Sequence, residues 1–489
     1  MQNLYEINIR TFLRRFDSGD KKATVKDIPL TFWKGLAEKG IDLVWLMGVW
    51  ETCDSVISNH CFQEGLVSSY DRALKQWSKE DVIGSPYAIN QYKINNKLGS
   101  TDEFIFLRKV LHSLGIKLIF DFVPNHFSVD SIYTNSNPEY FLQGTMENLE
   151  EDRHTFFISK HNPELIFAHG RDPFFPAWTD TIQLNYYNPQ TRKFMSDTLL
   201  EISEYCDGVR CDMSMLILNN IFFNTWRGII DTNIFCEPTS EFWEEAITSV
   251  KKKNNNFVLI AETYWDLEWN LQQLGFDYTY DKKLLDRLKD GTTNSIRDHL
   301  KADLSYQLKS VRFIENHDED RAIQTFGLDK SLAASVIIST IPGLHLYFEG
   351  QFCGYKIKLP IQLGREPIEN GIKTVKLFYD SLLNITKDEI FKKGKWQLVE
   401  AISSWENNLS NNNIIAYNWS FNNQNRLVVV NYSNAASQCR IKLNVEGYEE
   451  NFQITDLLNE TTYWRNTEEV FHSGLYIELQ PFKSHIFAY

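Results

Sequence analysis

Apolar residues recur along the chain in eight short runs, and amphipathic stretches separate most of them. The runs are YEINIRTF (5–12), IDLVWLMGVW (41–50), KLIFDFVPNH (117–126), DGVRCDM (207–213), FVLIAET (257–263), FDYTYD (276–281), SVRFIENHD (310–318) and GLHLYFEG (343–350). Several are apolar for four or more consecutive residues, the pattern of strands buried on both faces. Ahead of the third run, Phe104, Leu107, Val110, Leu111 and Leu114 fall on one helical stripe. Strand-helix alternation over roughly the first 390 residues predicts a parallel α/β architecture, and eight strands predict a closed (β/α)8 barrel. A doubly wound open sheet would want a glycine-rich turn after the first strand, and INIRTFLRRF has none.

Two intervals are too long to be simple connections. Residues 51–86 mix polar and aromatic positions, with a helical pattern over 69–79. Residues 127–180 contain Pro138, Pro163, Pro173 and Pro176 among many aromatics and read as a small irregular subdomain. Both follow the C-terminal ends of strands, the face on which barrel sites lie. After about residue 390 the texture changes to closely spaced β-type runs such as NIIAYNWSF, NRLVVVNYS and CRIKLNVEG, with Asn-rich turns between them. That predicts an antiparallel β-sandwich. The expected organisation is a barrel over 1–126 and 181–390, an insertion over 127–180 and a sandwich over 391–489.

The longest uncharged stretch, 332–348, is near the minimum spanning length but is interrupted by Ser335, Ser339, Thr340, Pro342, Gly343 and His345. It reads as a buried helix, a turn and a buried strand. The N-terminus shows no basic segment followed by an apolar run, so no signal peptide is expected.

Composition narrows the partners. Of 489 residues, 43% are hydrophobic and 23% charged, ample for a packed core. A formal net charge of −14 argues against nucleic acid or an anionic membrane surface as the main partner and leaves neutral ligands open. Aromatics reach 14%, with 13 Trp, enough to supply flat platforms for a ligand such as a sugar ring. The seven cysteines are odd in number and form no CxxC pair, so the chain is read as a cytosolic protein with reduced thiols and no zinc site.

The candidate chemistry sits where strands end. The third run ends in Asp121 with Asn125 and His126, the fourth in Arg210 and Asp212, the fifth in Glu262, and the seventh in Asn316, His317 and Asp318. One strand-ending Asp is an ordinary helix cap or loop residue. Carboxylates from three strands on one face repel one another, so stability does not explain their gathering. Glycoside cleavage does: an oxocarbenium-like transition state wants negative charge, a leaving oxygen wants a proton, and a second carboxylate attacks carbon or activates water. Asp212, two residues from Arg210 on the same side of its strand, is expected to stay ionised. Glu262, with less cationic company, is the better acid.

Read together, these segments resemble the α-amylase family, glycoside hydrolase family 13. DFVPNH (121–126), GVRCD (208–212), IAET (260–263) and FIENHD (313–318) are similar to its four ordered signatures. SPYAINQY (85–92) and TIPGLHLYFEGQ (340–351) resemble two further segments. The resemblance implies Asp212 as nucleophile, Glu262 as acid/base and Asp318 as transition-state stabiliser. It implies Tyr87 stacking under the sugar and Arg210, His126 and His317 binding around it, with Asp121 and Asn125 in support. It implies a retaining mechanism on α-glucans or malto-oligosaccharides, with no cofactor needed for chemistry. Asn125 sits where some members hold structural calcium.

Two departures stand out. Met213, Ser214, Met215 and Leu216 follow the nucleophile where many amylases carry Lys-His, which makes the leaving-group side less polar and calcium doubtful. Gln91 stands where an Asp commonly precedes the second tyrosine. A transglycosidase using the same residues, a non-catalytic carbohydrate-binding member and an unrelated metal-dependent barrel enzyme are the competing readings.

Overall fold

All eight apolar runs enter one closed parallel barrel in the computed structural model, which describes residues 1–231 and 234–489. The strands are β1 (Gln2–Asn8), β2 (Leu43–Met47), β3 (Lys117–Phe122), β4 (Gly208–Cys211), β5 (Val258–Ala261), β6 (Tyr278–Tyr280), β7 (Ser310–Arg312) and β8 (Leu344–Phe348). They neighbour one another in chain order, and β8 closes on β1 with Gln2 opposite Leu344 and Glu6 opposite Phe348. LVWLM of β2 and VLIA of β5 are buried at every position, since helices cover one face and barrel side chains the other. Because every strand is parallel, the polar ends of β3, β4, β5 and β7 open on one face.

The amphipathic stretch before β3 is the helix Thr101–Ser113, which buries Phe104, Leu107 and Leu111. Its start is a capping box: Glu103 N donates to Ser100 Oγ at 3.2 Å and Ser100 N donates to Glu103 Oε2 at 3.0 Å. The uncharged stretch 332–348 becomes the end of helix Leu328–Thr340 and then β8. That helix is buried on both sides, by the barrel and by the C-terminal sheet. Thr340 Oγ1 and Tyr417 Oη lie 2.6 Å apart, and Trp419 Nε1 donates to Thr340 O at 2.7 Å. Double burial explains the missing charge. Among the described residues no helix is long and apolar enough to cross a membrane.

The C-terminal region forms a six-stranded antiparallel sheet from β9 (Lys395–Leu398), β10 (Ile414–Phe421), β11 (Gln424–Asn431), β12 (Asn451–Asp456), β13 (Thr461–Asn466) and β14 (Ser484–Ala488). Its order is β9-β10-β11-β14-β12-β13. A three-stranded sheet of Ala401–Ile402, Ser437–Ile441 and Leu475–Leu479 faces it across a core that includes Ile414, Leu427, Val429, Ile441, Ile454 and Ile477.

Local expectations changed in four places. The first run does not continue as strand: after Asn8 the chain turns helical over Ile9–Phe12. The stretch 127–180 is not irregular. Gln143–Gly144, Phe156–Ile158 and Ile166–Ala168 make a small sheet, and His126–Ser128 pairs with Thr181–Gln183. Strands of two or three residues are too short for alternation to show. The helix expected over 69–79 is Glu64–Ala73; it buries Tyr70 and Ala73 and ends before the left-handed Gln76. The seventh strand stops at Arg312, whose guanidinium pairs with buried Asp281, and Phe313 and Ile314 are buried outside the ladder.

The loop after β8 is tied to the loop after β2. Ile83 N donates to Gln362 O at 2.8 Å, Gly364 N donates to Asp81 O at 2.7 Å, and Arg365 Nε and Nη2 both reach the Asp81 carboxylate at 2.8 Å. These two loops form one wall beside the open strand ends.

Candidate active site

Three carboxylates meet on one guanidinium. Arg210, the third residue of β4, is wholly buried. Its Nη1 donates to Asp212 Oδ1 at 2.7 Å, while its Nη2 lies 2.9 Å from Glu262 Oε2 and 3.9 Å from Asp318 Oδ2. The rings of Trp45, Tyr87 and Tyr280 surround it, with centroids 5.2, 5.5 and 5.6 Å from its Cζ. Alternation along β4 puts Arg210 and Asp212 on the same side, and parallel pairing aligns Asp212 with the ends of β3 and β5. The Asp212 amide donates to Phe122 O at 2.8 Å and the Glu262 amide to Cys211 O at 3.0 Å.

Glu262 is more heavily bonded than its sequence surroundings suggest. Met213 N donates to its Oε2 at 2.7 Å and Tyr264 Oη donates to its Oε1 at 2.8 Å. Met213 holds a left-handed conformation, φ 42° and ψ 46°, which points its N–H at the carboxylate; such a conformation costs a bulky residue about 1 kcal/mol or more. Arg210 reaches both acids, Asp212 at 2.7 Å and Glu262 at 2.9 Å. Burial nevertheless pushes Glu262 up to about 7 against the pull of Arg210. Burial also raises Asp212 above the ordinary aspartate value, with Arg210 opposing. Burial thus lifts both carboxyls, Glu262 to about 7, while Asp212 keeps the closer contact to the cation.

Asp318 differs from the other two: its side chain is 43% exposed and faces the opening. Asn316 Oδ1 accepts from Asp318 N and Glu319 N, both at 2.9 Å, so Asn316 builds the turn that presents Asp318. His317 Nε2 sits 2.9 Å from Asp318 Oδ2 and 2.8 Å from Tyr87 Oη, and the Tyr87 and His317 rings stack at 5.6 Å. Burial would lower His317, but Asp318 and Glu6 outweigh it and raise it to about 10. Burial would raise Asp318, but His317 and Arg210 outweigh it and hold it at about 2.

Glu6 is the member of this site that motif reading misses. It lies inside β1, fully buried, and accepts from His317 Nδ1 at 2.5 Å. Its only local signal was to be the one charged residue of its strand, QNLYEIN. Glu6→Gln is expected to lower kcat/KM by about ten- to a hundredfold, the worth of one charge-assisted hydrogen bond. The same change should bring the His317 titration down from about 10. Side-chain ¹⁵N spectra at pH 8 would show an imidazolium in the wild type and a growing neutral fraction in the variant. An unchanged titration would sink this role.

The supporting residues stand behind the site. Asp121 accepts from Trp45 Nε1 at 3.1 Å and Gly48 N at 3.0 Å, and burial raises it to about 7 despite Arg210. His126 is held neutral by burial, at about 3, and packs 5.3 Å from Trp178. Gln91 Nε2 donates to Glu51 Oε2 at 3.1 Å.

Asn125 does not offer a calcium ion what it needs, six to eight oxygens usually including carboxylates. Its Oδ1 accepts from Gln183 Nε2 at 3.0 Å. The same nitrogen reaches Asn125 O at 2.9 Å and Leu184 O at 3.0 Å, so three oxygens already converge on one amide nitrogen. Among the described residues no cluster of three or more His, Cys, Asp or Glu side chains is arranged to hold a metal. The donor set at Asn125 does not fit calcium.

Asp212, Glu262 and Asp318 line one cavity of about 360 Å³ with Tyr87, His126 and Trp178; Met213, Tyr264, Ile361 and Gln362 add to its walls, as do the polar Ser85, Asp180 and Thr181. Met213, Trp178 and Tyr264 contribute apolar and aromatic surface to its lining. Next to Tyr264, Trp265 meets the exposed Phe174 ring at 5.0 Å.

Residues 40–397 match the family described as "Alpha amylase, catalytic domain". The chain is 21% identical over 456 residues to the α-amylase MalA of Haloarcula japonica, covering 91% of this chain and 57% of that protein. It is 24% identical over 362 residues to a cyclomaltodextrin glucanotransferase of Geobacillus stearothermophilus, covering 70% of this chain and 46% of that protein. The chain thus spans about half the length of the curated relatives it matches. Among solved structures, a maltogenic α-amylase of Thermotoga neapolitana superposes with TM-score 0.68 at 20% identity, over 100% of this chain and 98% of that one. An α-amylase of Lactobacillus plantarum superposes with TM-score 0.70 at 18% identity, over 100% and 98%. At such identities the superpositions speak to the fold.

Proposed function

This chain belongs to the α-amylase family, and from that premise we propose that it is a retaining α-glycosidase acting on α-glucans or malto-oligosaccharides. The observation that carries the proposal is the meeting of Asp212, Glu262 and Asp318 around Arg210 in one cavity. Asp212 attacks the anomeric carbon as Glu262 gives its proton to the departing oxygen. Glu262, now a carboxylate, then draws a proton from the incoming hydroxyl, which releases the sugar. Asp318, charged at neutral pH, and the His317 imidazolium hold the sugar's hydroxyls, and Tyr87 packs under the ring. The negative charge on Asp212 and Asp318 stabilises the oxocarbenium-like transition state.

A second reading is favoured by the apolar and aromatic surface that Met213, Trp178 and Tyr264 bring to the cavity. Aromatic faces hold a sugar acceptor better than they order water, so transfer to a second glucan chain competes with hydrolysis. Maltoheptaose separates the two. Shorter products alone indicate hydrolysis, and products longer than the substrate indicate transfer. The first-formed product should be the α anomer by NMR; a β product, or no turnover of any α-glucoside, would overturn the proposal.

No cofactor enters this chemistry. Because the Gln183 amide takes the place a cation would need at Asn125, EDTA is expected to shift Tm by less than about 2 °C; a larger drop reversed by calcium would contradict this. The seven cysteines are free, which suits the reducing cytoplasm where we place the protein.

A further inference from the structure

One face of the C-terminal six-stranded sheet changes character along its width. Over β10, β11 and β14 it carries Ile415, Tyr417, Val428, Val430 and Ile486, which pack into the barrel core. Thr455 of β12 pairs with Ala488 of β14, so the same face continues onto the β12–β13 hairpin. There the paired positions are Asn451 with Asn466, Gln453 with Trp464, and Thr455 with Thr462. None of these six is ionisable. The opposite face of the hairpin turns Phe452 and Ile454 into the sandwich core.

β13 is an edge strand, where natural sheets place charge, proline or a bulge to discourage pairing. Here the middle of the strand presents Trp464, 63% exposed. The carboxamides of Asn451 and Gln453 are exposed beside it. The Thr455 and Thr462 hydroxyls face each other at 3.2 Å, with Thr462 exposed. A flat indole ringed by amides and hydroxyls suits a ligand with an apolar ring face and neutral hydroxyls at its rim. The six hairpin positions offer an ionic ligand no counter-charge, the nearest charge in register on this face, Arg426 of β11, being paired with Asp388, and the net charge of −14 opposes pairing with a second copy.

We propose that the β12–β13 face is a second carbohydrate-binding site, in which Trp464 stacks on a pyranose of an α-glucan chain and Gln453 and Asn451 bond its hydroxyls. The choice of α-glucan rests on the function proposed above. Occupying two sites on one polymer raises effective concentration at the first, so the benefit appears with polymers and not with short oligosaccharides.

The test is native electrophoresis of the full chain in gels containing amylopectin, in an Asp212→Asn background so that the polymer is not digested. Retardation is expected with Trp464 present, and Trp464→Ala should weaken it about fivefold or more while Trp464→Phe keeps most of it. In the active enzyme, Trp464→Ala should raise KM for amylopectin about three- to tenfold and leave kcat/KM for maltotriose within about twofold. Equal retardation of Trp464→Ala and its parent overturns the site while leaving the proposed activity intact. Retardation that depends on Trp464 in a protein that turns over no α-glucan supports the site and sinks the activity. A concentration-dependent dimer abolished by Trp464→Ala, without retardation, overturns the proposal in favour of self-association.

Discussion

Replacing Asp212 by asparagine is expected to lower kcat on malto-oligosaccharides by about 10⁴-fold or more. The substitution keeps shape, and the amide oxygen can still accept from Arg210 Nη1, which bonds Asp212 Oδ1 at 2.7 Å. What disappears is the negative charge and the nucleophile, so no glycosyl-enzyme forms. The fold should survive, because three carboxylates crowd one guanidinium and removing one relieves repulsion; Tm should move by no more than about 4 °C. Intact-mass measurement gives a direct readout. A 2-deoxy-2-fluoro glycosyl fluoride should add one sugar to the wild type, mapped to Asp212, and none to the variant. Turnover above about a hundredth of wild type, or labelling at another residue, would remove Asp212 from the nucleophile's role.

The second large effect is at the proton donor. Glu262→Gln is expected to lose about 10²- to 10⁴-fold on substrates whose leaving group is a sugar. An α-glycosyl fluoride departs without protonation, so its first step should be nearly unaffected. The pH profile carries a second signature. Burial raises Glu262 to about 7, so its proton is present below that value and lost above it. Wild-type kcat/KM should therefore fall as pH rises through about 7, and Glu262→Gln should lack that limb. If both enzymes lost activity in parallel on the alkaline side, another group would be the acid.

Much of this was legible from residues alone. Eight apolar runs separated by amphipathic stretches were enough to expect a barrel, since burial on both faces leaves a composition that short polar-alternating strands do not have. The four principal site residues, Arg210, Asp212, Glu262 and Asp318, were legible because each stands at or just beyond the end of such a run. In a parallel barrel those ends share a face. The small sheet within 127–180 was not legible, because strands of two or three residues leave no periodicity.

Other features needed the folded chain. Glu6 and His317 are 311 residues apart, and they touch only because β8 closes the barrel onto β1 and β7. The link between Arg210 and Glu262 depends on a guanidinium that reaches across from β4 to β5. The left-handed turn at Met213 is a backbone choice that a methionine does not advertise. Gln183 meeting Asn125 joins the far end of the insertion to the end of β3. Trp464 reads as one aromatic among many until strand register puts it beside Gln453 on an uncharged face.

By itself the sequence determined which segments are the eight barrel strands, that these run parallel, and which acids they carry to one rim, because hydrophobic burial and side-chain alternation are local properties of a strand. Only the tertiary structure decided which charges share a partner, how deeply each carboxyl is buried and which surface is left bare. Those outcomes depend on distances and burial created by closing the barrel and docking the C-terminal sheet, contacts between residues hundreds of positions apart.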